Sequence, residues 1–303
     1  MFNRLSFLGF CVSFLIFAGC GIISVSQADP NTAAYQDIVN GNGLESSFQV
    51  TGPDTFGELG YTLTLKNSGK EIINFKKEDI TLRTINVKTD GSSLFTQASL
   101  DDFKSRLFTG DVLSLATGQS LSVKGSLFLD KNLASSQLSS ISGELKFTYP
   151  YKTSFSNSVQ LNLDPTLNAD KKLAVLGTLS QAAPVKVYDI QLKQDTLASF
   201  SLRYYFRDDG LGPQHSVKIN QYSFSFRGQP LACSFFVEKD GRGIQKDDVI
   251  IDSTTTNYIS CPVTFTDTEK KDSFKSTTEG SFDYIYTVRH PFTFSIDVMK
   301  KQN

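Results

Sequence analysis

The sequence predicts an all-β protein, built as two consecutive β-sandwich units behind an N-terminal export segment. Three observations carry that expectation. The composition favours strands, an alternating apolar pattern occurs twice along the chain, and a Pro- and polar-rich stretch separates the two copies.

Composition comes first. The 303 residues include 25 Phe and 11 Tyr but no Trp, and 39% are hydrophobic. Phe and Tyr favour strands and fill the space between packed sheets. Frequent Ser and Thr suit the solvent faces of antiparallel strands. Thirty basic and thirty-one acidic side chains leave a net charge of −1. No field of one sign is available to draw in nucleic acid, so no nucleic-acid partner is expected.

The first element is the export segment. Met1 to Arg4 carries one positive charge, Leu5 to Ala18 is apolar, and Gly19-Cys20-Gly21 follows. Fourteen apolar residues are too few for a bilayer span of roughly 20 and fit a signal core. Phe17-Ala18-Gly19-Cys20 resembles the lipobox of prokaryotic lipoproteins, with Phe where that family usually has Leu. The resemblance implies cleavage before Cys20 and a diacylglycerol on its thiol, so the membrane is the first expected partner. Two other readings stay open. Ser26-Gln27-Ala28 would serve an ordinary signal peptidase and release a protein beginning at Asp29, and Leu5 to Val25 uncut would be a signal anchor. The expected organisation is a signal over 1–19 and a lipid-anchored flexible tether over 20–43. Behind it come a first sandwich over 44–164, a linker over 165–183 and a second sandwich over 184–303.

The repeat is read from two alignments. Gly143 to Leu161 aligns without gaps on Gly280 to Val298, at a spacing of 137 residues. Gly143 matches Gly280, Phe147 matches Tyr284, Tyr149 matches Tyr286 and Phe155 matches Phe292. The matched apolar residues mostly lie two apart, which is the strand period. Each copy is expected to be a closing hairpin that turns near Lys152 or Arg289. Upstream, Tyr61 to Gly69 echoes Leu202 to Gly210, and both end in an Asn/Asp-x-Gly turn. Asp164-Pro165 through Lys172 marks the boundary between the copies. The strand-Asn-x-Gly pattern at Leu63 to Gly69, inside a unit of about 120 residues, resembles the tandem immunoglobulin-like modules of prokaryotic surface proteins. That resemblance implies a fold and no activity.

Four cysteines occur. Cys11 belongs to the signal and Cys20 to the lipid, leaving Cys233 and Cys261 in strand-like runs of an exported protein. These are expected to form a disulfide. No catalytic, metal or cofactor site emerges. His215 and His290 are the only histidines, no Cys-x-x-Cys spacing exists, and His290 beside Pro291 reads as a turn residue. The acidic pairs Asp101-Asp102, Asp208-Asp209 and Asp247-Asp248 fall at expected turns or loops, where neighbouring acids are solvated. Lys239, Arg242 and Lys246 disqualify Glu238 to Asp248 as a calcium loop, leaving a plain hairpin. The runs Tyr204-Tyr205-Phe206 and Phe235-Phe236 offer rings either to sugars or to a sandwich core. The expected function is therefore non-enzymatic. The chain would be a surface lipoprotein that binds a protein or glycan through its loops, chiefly Asp208–Ser216 and Glu238–Val249. The alternatives are a structural envelope subunit docking by strand addition and a secreted hydrolase with an unrecognised site.

Overall fold

The computed structural model describes residues 24–26, 43–51, 57–85, 93–130, 140–164, 166–167, 172–177, 179, 181–196, 199–210, 214–240, 242–247, 249–251, 255–266, 269 and 273–295. Strands dominate them and every pairing is antiparallel, so the all-β class holds. The first half contains β1 (Ser24–Ser26), β2 (Leu44–Thr51), β3 (Glu58–Asn67), β4 (Ile73–Lys76), β5 (Ile80–Thr84), β6 (Val112–Leu115), β7 (Ser120–Phe128) and β8 (Ser140–Asn162). Between the halves lies β9 (Leu173–Leu176). The second half runs through β10 (Val185–Gln194), β11 (Phe200–Asp208), β12 (Gln214–Phe226), β13 (Gln229–Pro230), β14 (Ser234–Lys239), β15 (Arg242–Gln245), β16 (Val249–Ile251), β17 (Thr256–Val263) and β18 (Ser273–Ser295).

The halves repeat one plan. Strands β2, β3 and β7 form a sheet in which β3 is central, and β10, β11 and β17 do the same around β11. Leu44 opposes Asn67 in the first half, and Val185 opposes Asp208 in the second. Both central strands end in the same turn: Gly69 N donates to Asn67 Oδ1 at 2.9 Å, and Gly210 N donates to Asp208 Oδ1 at 2.9 Å. The turns are anchored alike, by Ser68 N to the Gly43 carbonyl and Asp209 N to the Pro184 carbonyl, each 2.8 Å. The echo seen in the sequence is thus a structural repeat.

The closing strands differ from expectation. No hairpin turns at Lys152 or Arg289; β8 and β18 are single strands of 23 residues each, roughly 75 Å long at ~3.3 Å per residue. The buried positions of β8 alternate without a break from Ile141 to Leu161, so no residue leaves the core face where a turn would require it. Pro150 and Pro291 look like turn formers but sit where one side of the strand has no ladder neighbour. Strand β5 stops opposite Phe147 and β12 stops opposite Arg289.

These two strands pair with each other along their whole length and so unite the halves in one seven-stranded sheet, ordered β13-β12-β18-β8-β5 with β16 also pairing β12 and β9 also pairing β8. The repeat equivalents Tyr149 and Tyr286 face each other at its centre, their rings 5.6 Å apart. On either side, Gly143 faces Phe292 and Gly280 faces Phe155. The pairing therefore has a local pseudo-two-fold axis between the two tyrosines. Each glycine is roofed by the opposite phenylalanine: a Cβ on Gly143 would lie 2.3 Å from the Phe292 ring, and one on Gly280 2.4 Å from Phe155. Glycine is required at both places because the ring occupies the space of a side chain.

The inner face of this sheet carries one contiguous core drawn from both halves. Its outer face is polar, with hydroxyl pairs such as Ser142–Thr293 and Ser223–Ser281. The segment expected as a linker, 165–183, supplies β9, which pairs with β8. Its end is stitched to both halves by Lys70 N to the Ala182 carbonyl and Val187 N to Gln181 Oε1. One helix, α1 (Gln97–Leu107), was not foreseen. Thr96 caps it through Ser99 N, and it buries Ser99, Phe103 and Leu107 against the core.

Candidate outer-face aromatic site

The sheet β10-β11-β17-β14-β15 presents aromatic side chains on the face turned away from the core. Strand alternation divides the runs singled out in the sequence. Tyr204, Phe206 and Phe235 point inward and are buried, whereas Tyr205 and Phe236 point outward. Register then aligns Tyr205 with Tyr258 and Tyr258 with Phe236 across three neighbouring strands. A bulge in β10 between Val187 and Asp189 turns Tyr188 onto the same face, where it is 42% exposed. The ring centroids follow at 6.3 Å for Tyr188–Tyr205, 5.3 Å for Tyr205–Tyr258 and 5.2 Å for Tyr258–Phe236, the last pair stacked at 9°. Tyr258 is the floor of this row, only 3% exposed. Its hydroxyl runs beneath Gly243 of β15, where any Cβ would fall 1.9 Å from the oxygen.

Two arginines of β11 flank Tyr205. The Arg203 guanidinium lies 4.8 Å from the centre of the Tyr258 ring, and that of Arg207 lies 5.5 Å from the centre of Tyr188. Asp209 neutralises Arg207 at 2.7 Å and also approaches Lys186 at 3.9 Å. Arg203 forms no ion pair among the described residues, and its Nε is shielded without a hydrogen-bond acceptor. Burial pushes the Tyr258 hydroxyl pKa up, while the Arg203 charge pulls it down.

The disulfide joins Cys233 to Cys261, Cα atoms 4.2 Å apart, and lies on the core side of this sheet, with Cys261 fully buried. It links the start of β14 to β17 beside the Ser234–Ser260 pair, next along the register from Phe236–Tyr258. The bridge crosslinks β14 and β17, the strands that carry Phe236 and Tyr258. Of the loop expected over Glu238–Val249, Glu238, Lys239 and Arg242–Gln245 lie in the β14–β15 hairpin, which carries Gly243 over Tyr258, whereas Val249 opens β16 and pairs with Ile219 of β12.

Other expected positions fall elsewhere. Asp208 is not a solvated turn acid. Its side chain is almost wholly enclosed, accepting from Tyr286 Oη at 3.2 Å with His215 Nδ1 3.4 Å away. Burial holds the Asp208 pKa above the ordinary value, and the Gly210 N–H and His215 oppose that rise. Asp101 and Asp102 lie in α1, where Asp102 pairs with Arg106. His290 is a buried strand residue, not a turn residue. Its Nε2 meets Ser46 Oγ at 2.7 Å, and burial lowers its pKa. That pair resembles half of a nucleophilic dyad, but its ring packs edge-on against Phe147 inside the core. Among the described residues no group of three or more His, Cys, Asp or Glu could hold a metal, and no helix is long and apolar enough to cross a membrane. Cys20, Cys11 and the rival cleavage site at Ala28 lie outside the described residues. Within the expected tether, Ser24–Ser26 pairs with Ser120–Ser122 at the edge of β7.

Tyr188, Arg203 and Tyr258 were missed in the sequence. Arg203 and Tyr205 lie two apart in β11, so their shared face was legible. Tyr188 was not, because only the bulge turns it outward.

No protein-family model and no curated protein matches the chain. Among solved structures, that of BuGH86wt in complex with neoagarooctaose aligns over 82% of this chain and 34% of its own, so the chain spans about a third of it. The identity is 9% and the TM-score 0.15, and a likeness at that level carries no argument.

Proposed function

We propose that the chain is an exported, lipid-anchored, non-enzymatic binding protein that meets its partner through the outer face of the second half. The outward row of Tyr188, Tyr205, Tyr258 and Phe236 supports this reading, because aromatic rings on the solvent side of a sheet contribute nothing to the core beneath it. The lipobox-like Phe17-Ala18-Gly19-Cys20 supports the anchor, and tandem immunoglobulin-like modules remain the proposed description of the repeat. The contact surface is moved from loops to strands. Of the two loops proposed from the sequence, Glu238–Val249 contributes its β14–β15 residues to this face, whereas in Asp208–Ser216 the Asp208 side chain is enclosed beside His215. Binding of the detergent-extracted full chain to envelope material should fall in a Tyr205→Ser, Phe236→Ser variant that melts like the parent. Undiminished binding would refute the face. Intact mass of the same preparation should begin at Cys20 with an acyl increment, and a start at Asp29 would refute the anchor.

A second reading, a structural subunit docking by strand addition, is favoured by β15. This strand is exposed at all four residues and ends its sheet among the described strands. It predicts that a proline at Ile244 abolishes co-purification with a fixed partner, whereas the aromatic variant leaves it intact.

A further inference from the structure

If the outer aromatic face is a contact surface, the cations on it that form no ion pair among the described residues, Arg203 and the exposed Lys193, point to what it contacts. We propose that it binds an acidic polysaccharide, with sugar rings lying on Tyr188, Tyr205 and Phe236 and a uronate carboxylate accepted by Arg203. The row crosses four strands spaced ~4.8 Å apart and so extends about 14 Å, the footprint of several sugars rather than one. Rings present π faces to the C–H faces of pyranoses, and Gln191 and Gln245 stand in register beside Arg203 and Phe236 to meet hydroxyls.

The charge argument rests on the contrast between the two arginines. Asp209 satisfies Arg207. Arg203 lies over Tyr258, its guanidinium carbon 4.8 Å from the ring centre, and it forms no ion pair among the described residues. A planar guanidinium fixed in this way is pre-organised for a carboxylate, which it would hold in a charge-assisted pair. A nucleic acid would need a track of free cations. Lys186 and Arg207 already share Asp209, and Asp189 and Glu238 stand on the same sheet. Arg203 among the rings, with Lys193 beside it and neither in an ion pair among the described residues, fits carboxylates set among hydroxyls.

The test is affinity electrophoresis of the detergent-solubilised full chain through gels containing polygalacturonate, hyaluronan, neutral dextran or oligo-dT. The uronate polymers should retard the protein and dextran should not. Arg203→Gln should weaken the retardation about tenfold, the loss of one charge-assisted hydrogen bond, with Arg203→Lys in between. Tyr205→Ser should weaken it with Arg203 intact. Unchanged melting and an intact disulfide show that each variant is folded. Equal retardation of parent and Arg203→Gln overturns the proposal, as does retardation by oligo-dT alone or by neither uronate polymer. Dextran retardation lost in Tyr205→Ser but kept in Arg203→Gln would overturn the acidic ligand and leave the face as a contact surface. If Tyr205→Ser changes neither retardation nor envelope binding, the face itself is refuted.

Discussion

Phe155 and Phe292 form a controlled experiment within one molecule. Each roofs a glycine of the opposite long strand, Phe155 over Gly280 and Phe292 over Gly143, and the two sites are related by the pseudo-two-fold. They differ in burial. Phe155 is 8% exposed and lies within 6.5 Å of Tyr204, Phe224 and Phe282, whereas Phe292 is half-buried beside Phe48 and Phe95. Phe155→Ala removes a packed ring whose neighbours belong to two sheets and collapse only partly, at a cost of about 3–5 kcal/mol. Phe292→Ala gives up contacts on one side only, and solvent fills the space, so its cost is about half that. Urea unfolding followed by circular dichroism reads both. With m near 3 kcal/mol/M for a chain of this size, the midpoint should fall by roughly 1 M or more for Phe155→Ala and by about half as much for Phe292→Ala. Equal midpoints, or the larger loss at Phe292, would refute the claim that burial rather than local strand geometry sets the cost.

Three further outcomes are expected. Replacing Cys233 and Cys261 by Ala opens a crosslink of sequence separation 28 and should cost about 3–4 kcal/mol, lowering the melting temperature by roughly 10 °C. Identical calorimetric melts of oxidised and reduced protein would contradict it. Burial lowers the His290 pKa, so the unfolded chain takes up the proton more readily. The stability this group provides is present above its unfolded pKa near 6.5 and is lost as pH falls through the folded value. His290→Gln should flatten the fall in melting temperature between about pH 7 and 5, and an unchanged slope would refute the assignment. The raised Asp208 pKa has the opposite sign: its contribution is present below the ordinary carboxyl value and is lost as pH rises through the folded one. Asp208→Asn restores the residue type found at Asn67, whose Nδ2 donates to the Glu71 and Leu115 carbonyls. The variant should gain on the parent in melting temperature from about pH 4 to 7, and a growing deficit over that range would sink the argument.

The repeat was legible because alternation and the Asn/Asp-x-Gly turn are local. Asn67 and Asp208 bond their own glycines two residues on, and sequence carries that signal directly. The Cys233–Cys261 bridge was legible because few cysteines remained. The hairpins at Lys152 and Arg289 were misread because a proline near a basic residue looks like a turn. Whether it is one depends on whether a neighbouring strand needs its N–H, and at Pro150 and Pro291 none does. Helix α1 was missed since it holds only three buried residues, too few to impose a helical period on the sequence.

By itself, then, the sequence determined the all-β class, the duplication and the residues that alternate toward a core. All of these follow from neighbours within a strand or a turn. Tertiary structure alone decided that β8 and β18 would join the halves through Tyr149 and Tyr286. It also decided that Tyr188, Tyr205, Tyr258 and Phe236 would meet in one row, with Arg203 over Tyr258. Strand register and a single bulge set those meetings, and they bring together residues as far apart in sequence as Tyr149 and Tyr286. No local pattern encodes which strand lies beside which.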